Sequence, residues 1–179
     1  MMDEICSHIM DIAVNSVTAH ATVVRISIIE DRDAQTLTLT IADNGKGMDT
    51  ALAQRIQDPF FTTKSGKSVG LGIALLRGTA ETTGGTFLLK SAPGEGTFIK
   101  AQFGLEHPDR PPVGNLKDTI LVLVAGNPTV DFIFQIQIAG TDFTLDTKEM
   151  KTVLDGLPIN HPEVVNFLTN YLDEHVSFR

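Results

Sequence analysis

The chain has a single cysteine, Cys6, among 179 residues. An internal disulfide is therefore excluded, and the composition fits a reducing, cytoplasmic setting. No apolar run approaches the roughly 18 residues that a membrane span needs. The first residues, Met1-Met2-Asp3-Glu4, are acidic and lack the basic-then-apolar layout of a signal peptide. Basic residues are scarce too: the formal net charge is −8. Residues 1–104 hold 9 basic and 11 acidic side chains, and residues 105–179 hold 5 and 11. No basic patch is there to attract a nucleic-acid backbone, and the C-terminal third would repel one. Internal repeats and low-complexity tracts are missing as well. What is present, 42% hydrophobic and 20% charged residues, is an ordinary globular composition.

The patterning predicts a helix over residues 3–19, where Ile5, Ile9, Ile12 and Ser16 fall on one stripe at helical spacing. Residues 22–30 and 35–42 alternate apolar and polar side chains about a turn at 31–34, which predicts a hairpin with one buried face. A short helix over 50–57, a loop over 58–69 and a helix over 70–83 follow, the last stopped by Gly84-Gly85. Strands over 86–91 and 97–103 meet at the Pro93-Gly94-Glu95-Gly96 turn. The sum is an α/β (α+β) two-layer sandwich, three helices on a mixed, mostly antiparallel sheet. The proline-rich stretch 107–114 then leads into a small α+β C-terminal extension. It has helices over 115–126, 147–155 and 161–176 and a hairpin over 130–138 and 141–145. Asn160-x-x-Glu163 resembles a capping box at the last helix. The expected organisation is one unit over 1–104 and an acidic extension over 105–179.

Four short segments carry the polar chemistry. Asp11 and Asn15 sit four residues apart, so both project from one helix face, with His8 and Thr18 close to it. A carboxylate and an amide so placed can hold a divalent cation together with phosphates, or orient a water; a solvated polar stripe is the plainer alternative. Asp43 ends the second strand in Asp43-Asn44-Gly45-Lys46-Gly47-Met48. A buried acceptor there suits the exocyclic amine of adenine, and the glycines let backbone approach a flat ring; an Asn-Gly type turn is the alternative. Pro59-Phe60-Phe61-Thr62-Thr63-Lys64 opens a loop rich in donors, with Ser65, Gly66, Lys67 and Ser68, that could fold over a ligand as a lid. Gly70-Leu71-Gly72 places backbone N–H groups at a helix start, which favours phosphate, although such a pair also serves close packing.

These segments, in this order, resemble the N, G1, F and G2 boxes of the GHKL superfamily, which comprises gyrase, the heat-shock chaperone ATPase, histidine kinases and MutL. Gly94-Glu95-Gly96-Thr97-Phe98 is similar to the last strand of that domain in histidine kinases. The resemblance covers about residues 3–104 and implies the Bergerat ATP-binding fold. It implies that Asn15 coordinates Mg²⁺ and that Asp43 binds adenine. Gly45, Gly47 and Met48 would line the base pocket, with Lys46 also among the ATP-binding residues, and Thr97 would assist through its hydroxyl. Phe61, Thr62, Lys64 and Gly66 of the loop, and the Gly70, Leu71 and Gly72 backbone, would meet the phosphate side.

Two departures from the family pattern bear on activity. Asp11 stands where the hydrolysing branches carry a glutamate general base, and aspartate is one methylene shorter; kinases vary at this position. Histidine kinases also carry a helical domain with the phosphoacceptor histidine before the N box, whereas here the N box starts almost at residue 1. The expectation is an ATP·Mg²⁺-binding protein of histidine-kinase-like type that phosphorylates or regulates a separate protein. The alternatives are an ATP hydrolase with Asp11 as its base, or an ATP-switched binding or chaperone module. The tail looks like that of small stand-alone ATP-binding proteins found alongside iron-only hydrogenases in anaerobic bacteria, which implies a role in hydrogenase maturation or regulation. Its acidity suggests a protein partner or a self-association surface giving a homodimer; the alternative is an appendage that covers the sheet edge.

Overall fold

The computed structural model describes residues 4–58 and 71–176. Among them lie six helices and one six-stranded sheet. Helix α1 (Ile5–Thr18) precedes the hairpin β1 (Val23–Asp31) and β2 (Thr36–Asp43). Then come α2 (Thr50–Arg55), α3 (Leu71–Thr82), β3 (Phe87–Ala92) and β4 (Gly96–Gly104). The tail adds α4 (Leu116–Gly126), β5 (Asp131–Ile138), β6 (Thr141–Asp146), α5 (Thr147–Val153) and α6 (Pro162–His175). Three helices belong to the first 104 residues, as the patterning predicts, and three to the tail.

The strand order is β3-β4-β2-β1-β5-β6, and among the described strands only the β1–β5 pairing is parallel. The tail's strands therefore do more than lie near the first unit. β5 pairs along β1 with Val24 beside Phe132, Ile26 beside Phe134 and Ile28 beside Ile136. These six side chains are all buried. Alternation explains the layering. Leu37, Leu39 and Ile41 of β2, and Ile99, Ala101 and Phe103 of β4, face the helices and are buried with them, in one core that runs from β4 to β6. The other face of the sheet carries Arg25, Ser27, Thr38, Lys100, Gln102 and Gln135, which are exposed or half-buried.

Helix α1 lies between α3 and α4. Its N-cap residue Glu4 makes no side-chain capping bond. The free N–H groups of the first turn are met instead by the linker: Ile5 N–H donates to the Pro112 carbonyl and Cys6 N–H to the Val113 carbonyl, both at 2.9 Å. Because helices flank α1 on two sides, its buried arc is wider than the isoleucine stripe. It takes in Cys6 and His8 as well. His8 therefore does not belong to the polar face with Asp11; it is fully buried. The α6 cap also differs from expectation. His161, not Asn160, is the N-cap: its Nδ1 accepts from Glu163 N–H at 3.4 Å, and Pro162 takes the first helical position.

Candidate functional site

A cavity of about 220 Å³ opens between the C-terminal half of α1, the ends of β2 and β4, and α2 and α3. Ile12, Met48, Leu52, Ile56, Ile73 and Ile99 give it apolar walls, and Asn15, Ser16, Asp43, Lys46 and Thr97 supply polar groups. An apolar slot with a few convergent polar atoms suits a flat heteroaromatic ring.

Asp43 is the fixed point of the cavity. As the last residue of β2 it lies opposite Thr97 of β4, which in turn lies opposite Ser91 of β3. The row crosses three strands at one level. Ser16 donates to Asp43 Oδ2 at 2.7 Å, and Gly45 N–H donates to Asp43 Oδ1 at 2.8 Å. A carboxylate has about four acceptor positions, so two bonds orient it and leave capacity for a donor in the cavity. Ser91 ties the next layer together. It accepts from Met48 N–H at 2.9 Å, donates to the Gly96 carbonyl at 2.8 Å, and lies 3.0 Å from the Thr97 hydroxyl. Ser16 and Ser91 are the organising residues that sequence reading misses. Ser16 falls on the core stripe of α1, and the one signal for Ser91 is its register position opposite Thr97.

The loop after Asp43 is pinned by the Asn44 side chain and by its own backbone. Asn44 Oδ1 accepts from Thr22 and Val23 N–H, both at 2.9 Å, which clips the start of β1. Lys46 donates its N–H to the Ala19 carbonyl and accepts from Gly94 N–H at 2.7 Å. Gly47 has φ +65°, and a side chain there would collide with the Ala92 carbonyl. Glycine at this position thus serves the packing of the loop against the β3–β4 turn as well as any ring.

Asn15 lines the cavity, and its side-chain amide makes no hydrogen bond among the described residues. Asp11, one turn earlier, faces the outer side of α1 and touches Gly72 in the first turn of α3, where an added Cβ would strike its carboxylate. Burial pushes the Asp11 carboxyl above the ordinary carboxylate range. Among the described residues neither ring nitrogen of His8 finds a hydrogen-bond partner, and burial lowers its pKa, which favours the neutral ring. Burial also pushes the Cys6 thiol up to about 11, against a weaker lowering by its hydrogen bond with Thr119, which leaves it unreactive.

The structure therefore brings Asn15, Asp43, Lys46, Gly47, Met48 and Thr97 to one cavity, with Gly45 bonded to its floor, and puts Asp11 beside Gly72. Leu71 opens α3 and is half exposed. Phe61, Thr62, Lys64, Gly66 and Gly70 lie outside the described residues. Among the described residues no group of three or more His, Cys, Asp or Glu side chains forms a metal cage. Mg²⁺ suits this arrangement all the same. It keeps several waters and is commonly held by one or two protein oxygens plus substrate phosphates, and the unbonded Asn15 amide offers such an oxygen.

Comparison with known proteins matches this sequence to a family. The sequence model of the histidine kinase-, DNA gyrase B- and HSP90-like ATPases matches residues 1–107. The chain belongs to this family. Its relatives include the sensor histidine kinase ZraS of Klebsiella oxytoca, 36% identical over 77 residues, which are 43% of this chain and 16% of that protein. The signal transduction histidine-protein kinase AtoS of Escherichia coli is 34% identical over 96 residues, 54% of this chain and 15% of that protein. The chain thus matches about a sixth of the length of these relatives. Among solved structures, the Aquifex aeolicus MutL ATPase domain complexed with ADP shares the fold, with TM-score 0.51 at 14% identity. That likeness covers 82% of this chain and 64% of the MutL chain. The N-terminal domain of a DNA repair protein aligns with TM-score 0.50 at 14% identity, over 80% and 52% of the two chains. No helix among the described residues of this ATPase-family chain is long and apolar enough to cross a membrane.

Proposed function

We propose that this chain binds ATP with Mg²⁺ and phosphorylates or regulates a separate protein. The observation that carries the reading is the Asp43 carboxylate, oriented by Ser16 and Gly45 N–H at the floor of an apolar slot with acceptor capacity to spare. The adenine amine would donate to it, and the ring would lie between Met48 and the Ile12 and Ile99 walls. Thr97, held through Ser91, would present its hydroxyl to the base. Asn15 would hold the cation together with the phosphates. Gly72, and by the family likeness Lys64 and Gly70, would lie toward the phosphate tail. The cation supplies charge neutralisation on the phosphates when bound.

Burial of His8 removes it as an acceptor, because a histidine closed into the core has no path to the γ-phosphate. The family likeness of the tail to proteins found beside iron-only hydrogenases makes hydrogenase maturation or regulation the proposed setting. In this reading, residues 1–104 bind the nucleotide and residues 105–179 serve the partner, although one sheet runs through both. Calorimetry tests the nucleotide assignment. Asp43→Asn keeps the shape and reverses one acceptor to a donor, and ATP affinity should fall about a hundredfold, roughly 2.7 kcal/mol. Unchanged affinity would refute the adenine role.

One observation favours a second reading, ATP hydrolysis by this chain alone. Asp11 is unpaired among the described residues, sits against the first turn of α3, and is made more basic than an ordinary aspartate by burial. If Asp11 is the base for an attacking water, Asp11→Asn stops phosphate release and leaves ATP binding intact. Steady phosphate release by that variant excludes the role.

A further inference from the structure

A second concavity lies on the outer side of α1, away from the nucleotide cavity. It is an open groove of about 560 Å³ whose two walls are α1 and α4. Its floor and lips are apolar: Met10, Val14 and Val122, of which Val14 and Val122 are 47% and 57% exposed. Its rim is acidic, with Glu4 and Asp11 from the α1 side and Asp118 from α4. Neither Lys nor Arg lines it among the described residues. Lys117, next to Asp118 in sequence, is turned to Asp173 at 2.7 Å. Asp118 accepts from Asn115 Nδ2 at 2.7 Å, a neutral donor that leaves the negative charge in place.

The groove is preformed. The Pro112 and Val113 carbonyls bond the first turn of α1, and α1 packs on α4 with Cys6 and Thr119 both buried. One wall, α4, lies beyond the residues matched by the ATPase family, so the tail makes a surface that the shared part alone does not have. The groove also reaches Asp11, the side chain that touches Gly72 at the start of α3.

We propose that this α1–α4 groove is the docking site for a basic amphipathic helix of a partner protein. Apolar side chains on one face of that helix fill the space between Val14 and Val122, and flanking Lys or Arg side chains meet Glu4, Asp11 and Asp118. Helix-in-groove recognition is the mode these walls allow, because both are helices and neither offers a strand edge. The acidic rim selects the sign of the partner and speeds its encounter, and desolvated apolar contacts hold it. What the partner undergoes rests on the ATP reading above; the groove itself does not.

Selection from a phage-displayed library of random peptides, about 16 residues or four to five helical turns long, on the immobilised full chain tests this. Enriched peptides should carry apolar residues at helical spacing flanked by Lys or Arg, and bind the chain in fluorescence anisotropy with affinity that falls as salt rises. Val122→Glu should weaken them roughly tenfold or more, about 1.4 kcal/mol, and Val14→Gln should act in the same direction. Both are exposed helix positions, and circular dichroism will show the fold retained. Asp118→Asn should give a smaller loss, about threefold. Failure to enrich any peptide, enrichment of acidic or neutral sequences, or unchanged binding by Val122→Glu would overturn the proposal. So would sedimentation showing a wild-type dimer that Val122→Glu dissociates, since the occupant would then be a second copy. Asp43→Asn must keep peptide binding; if the wild type binds peptide but not ATP, the nucleotide reading fails and the groove stands.

Discussion

The two sides of the sheet treat polar groups in opposite ways. On the β2–β4–β3 side, Asp43, Thr97 and Ser91 form a row across strand ends, and the Asp43 carboxylate keeps acceptor capacity turned to a cavity. On the β5–β6 side, polar groups close on one another. Lys151 meets Asp131 at 2.7 Å, buried Thr147 takes Phe132 N–H at 2.8 Å, and Asp146 caps α5 through Lys148 and Glu149 N–H. The stacked rings of Phe132 and Phe134, 5.9 Å apart, fill the space beneath. One sheet therefore carries a half that is built to be completed by a ligand and a half that is complete already. The difference shows that a site here is polar capacity left open by a scaffold whose rigidity comes from elsewhere.

The largest test of that division is Phe134→Ala, beside Ile26 in the parallel pairing. Truncating this buried ring should cost about 3–5 kcal/mol in urea denaturation, with one cooperative transition for the whole chain. Two separate transitions would show that the complete half does not support the open one. Next comes Gly72→Ala, which acts where α3 meets α1. Its methyl displaces the Asp11 carboxylate, so if Asp11 is the base of the second reading, ATP turnover should fall roughly tenfold, with ATP affinity moved less than about threefold. Equal losses in both would show that the start of α3 belongs to ground-state binding. The smallest expected effect is that of His8→Leu. The folded protein holds His8 neutral below its usual 6.5, whereas the unfolded chain takes up the proton there. Stability should therefore drop as pH falls below about 6.5 in the wild type, and drop less in His8→Leu. Parallel pH profiles would exclude His8 as the source.

Most elements of this fold are legible from periodicity, and their observed ends lie within a residue or two of the expected ones. The hairpin β1–β2 illustrates why: Leu37, Leu39 and Ile41 alternate strictly with threonines, so one face had to be buried. Neighbour choice was not legible. Residues 130–138 read as a strand, but nothing in their pattern says that they run parallel along β1, because alternation fixes a face and not a partner. The same limit applies to the site. Asp43 and the glycines announce themselves by type and spacing, while Ser16 looks like a core position until the structure shows its hydroxyl on Asp43. His8 fails in the opposite sense. Its place beside Asp11 and Asn15 on the helix suggests a wet face, and only the packing of α1 between two other helices closes it off.

The bonds from the Pro112 and Val113 carbonyls to the start of α1 join positions more than a hundred residues apart in sequence. From Cys6 to Asn15 the helix rises nine residues, about 14 Å. One helix, without a break, thus joins the residues bonded to the linker at one end to the cavity-lining Asn15 amide at the other. A fragment cut at residue 107 would keep every matched residue of the family and lose this anchorage. The N–H groups of Ile5 and Cys6 would lose their acceptors there, and the first helical turn would fray.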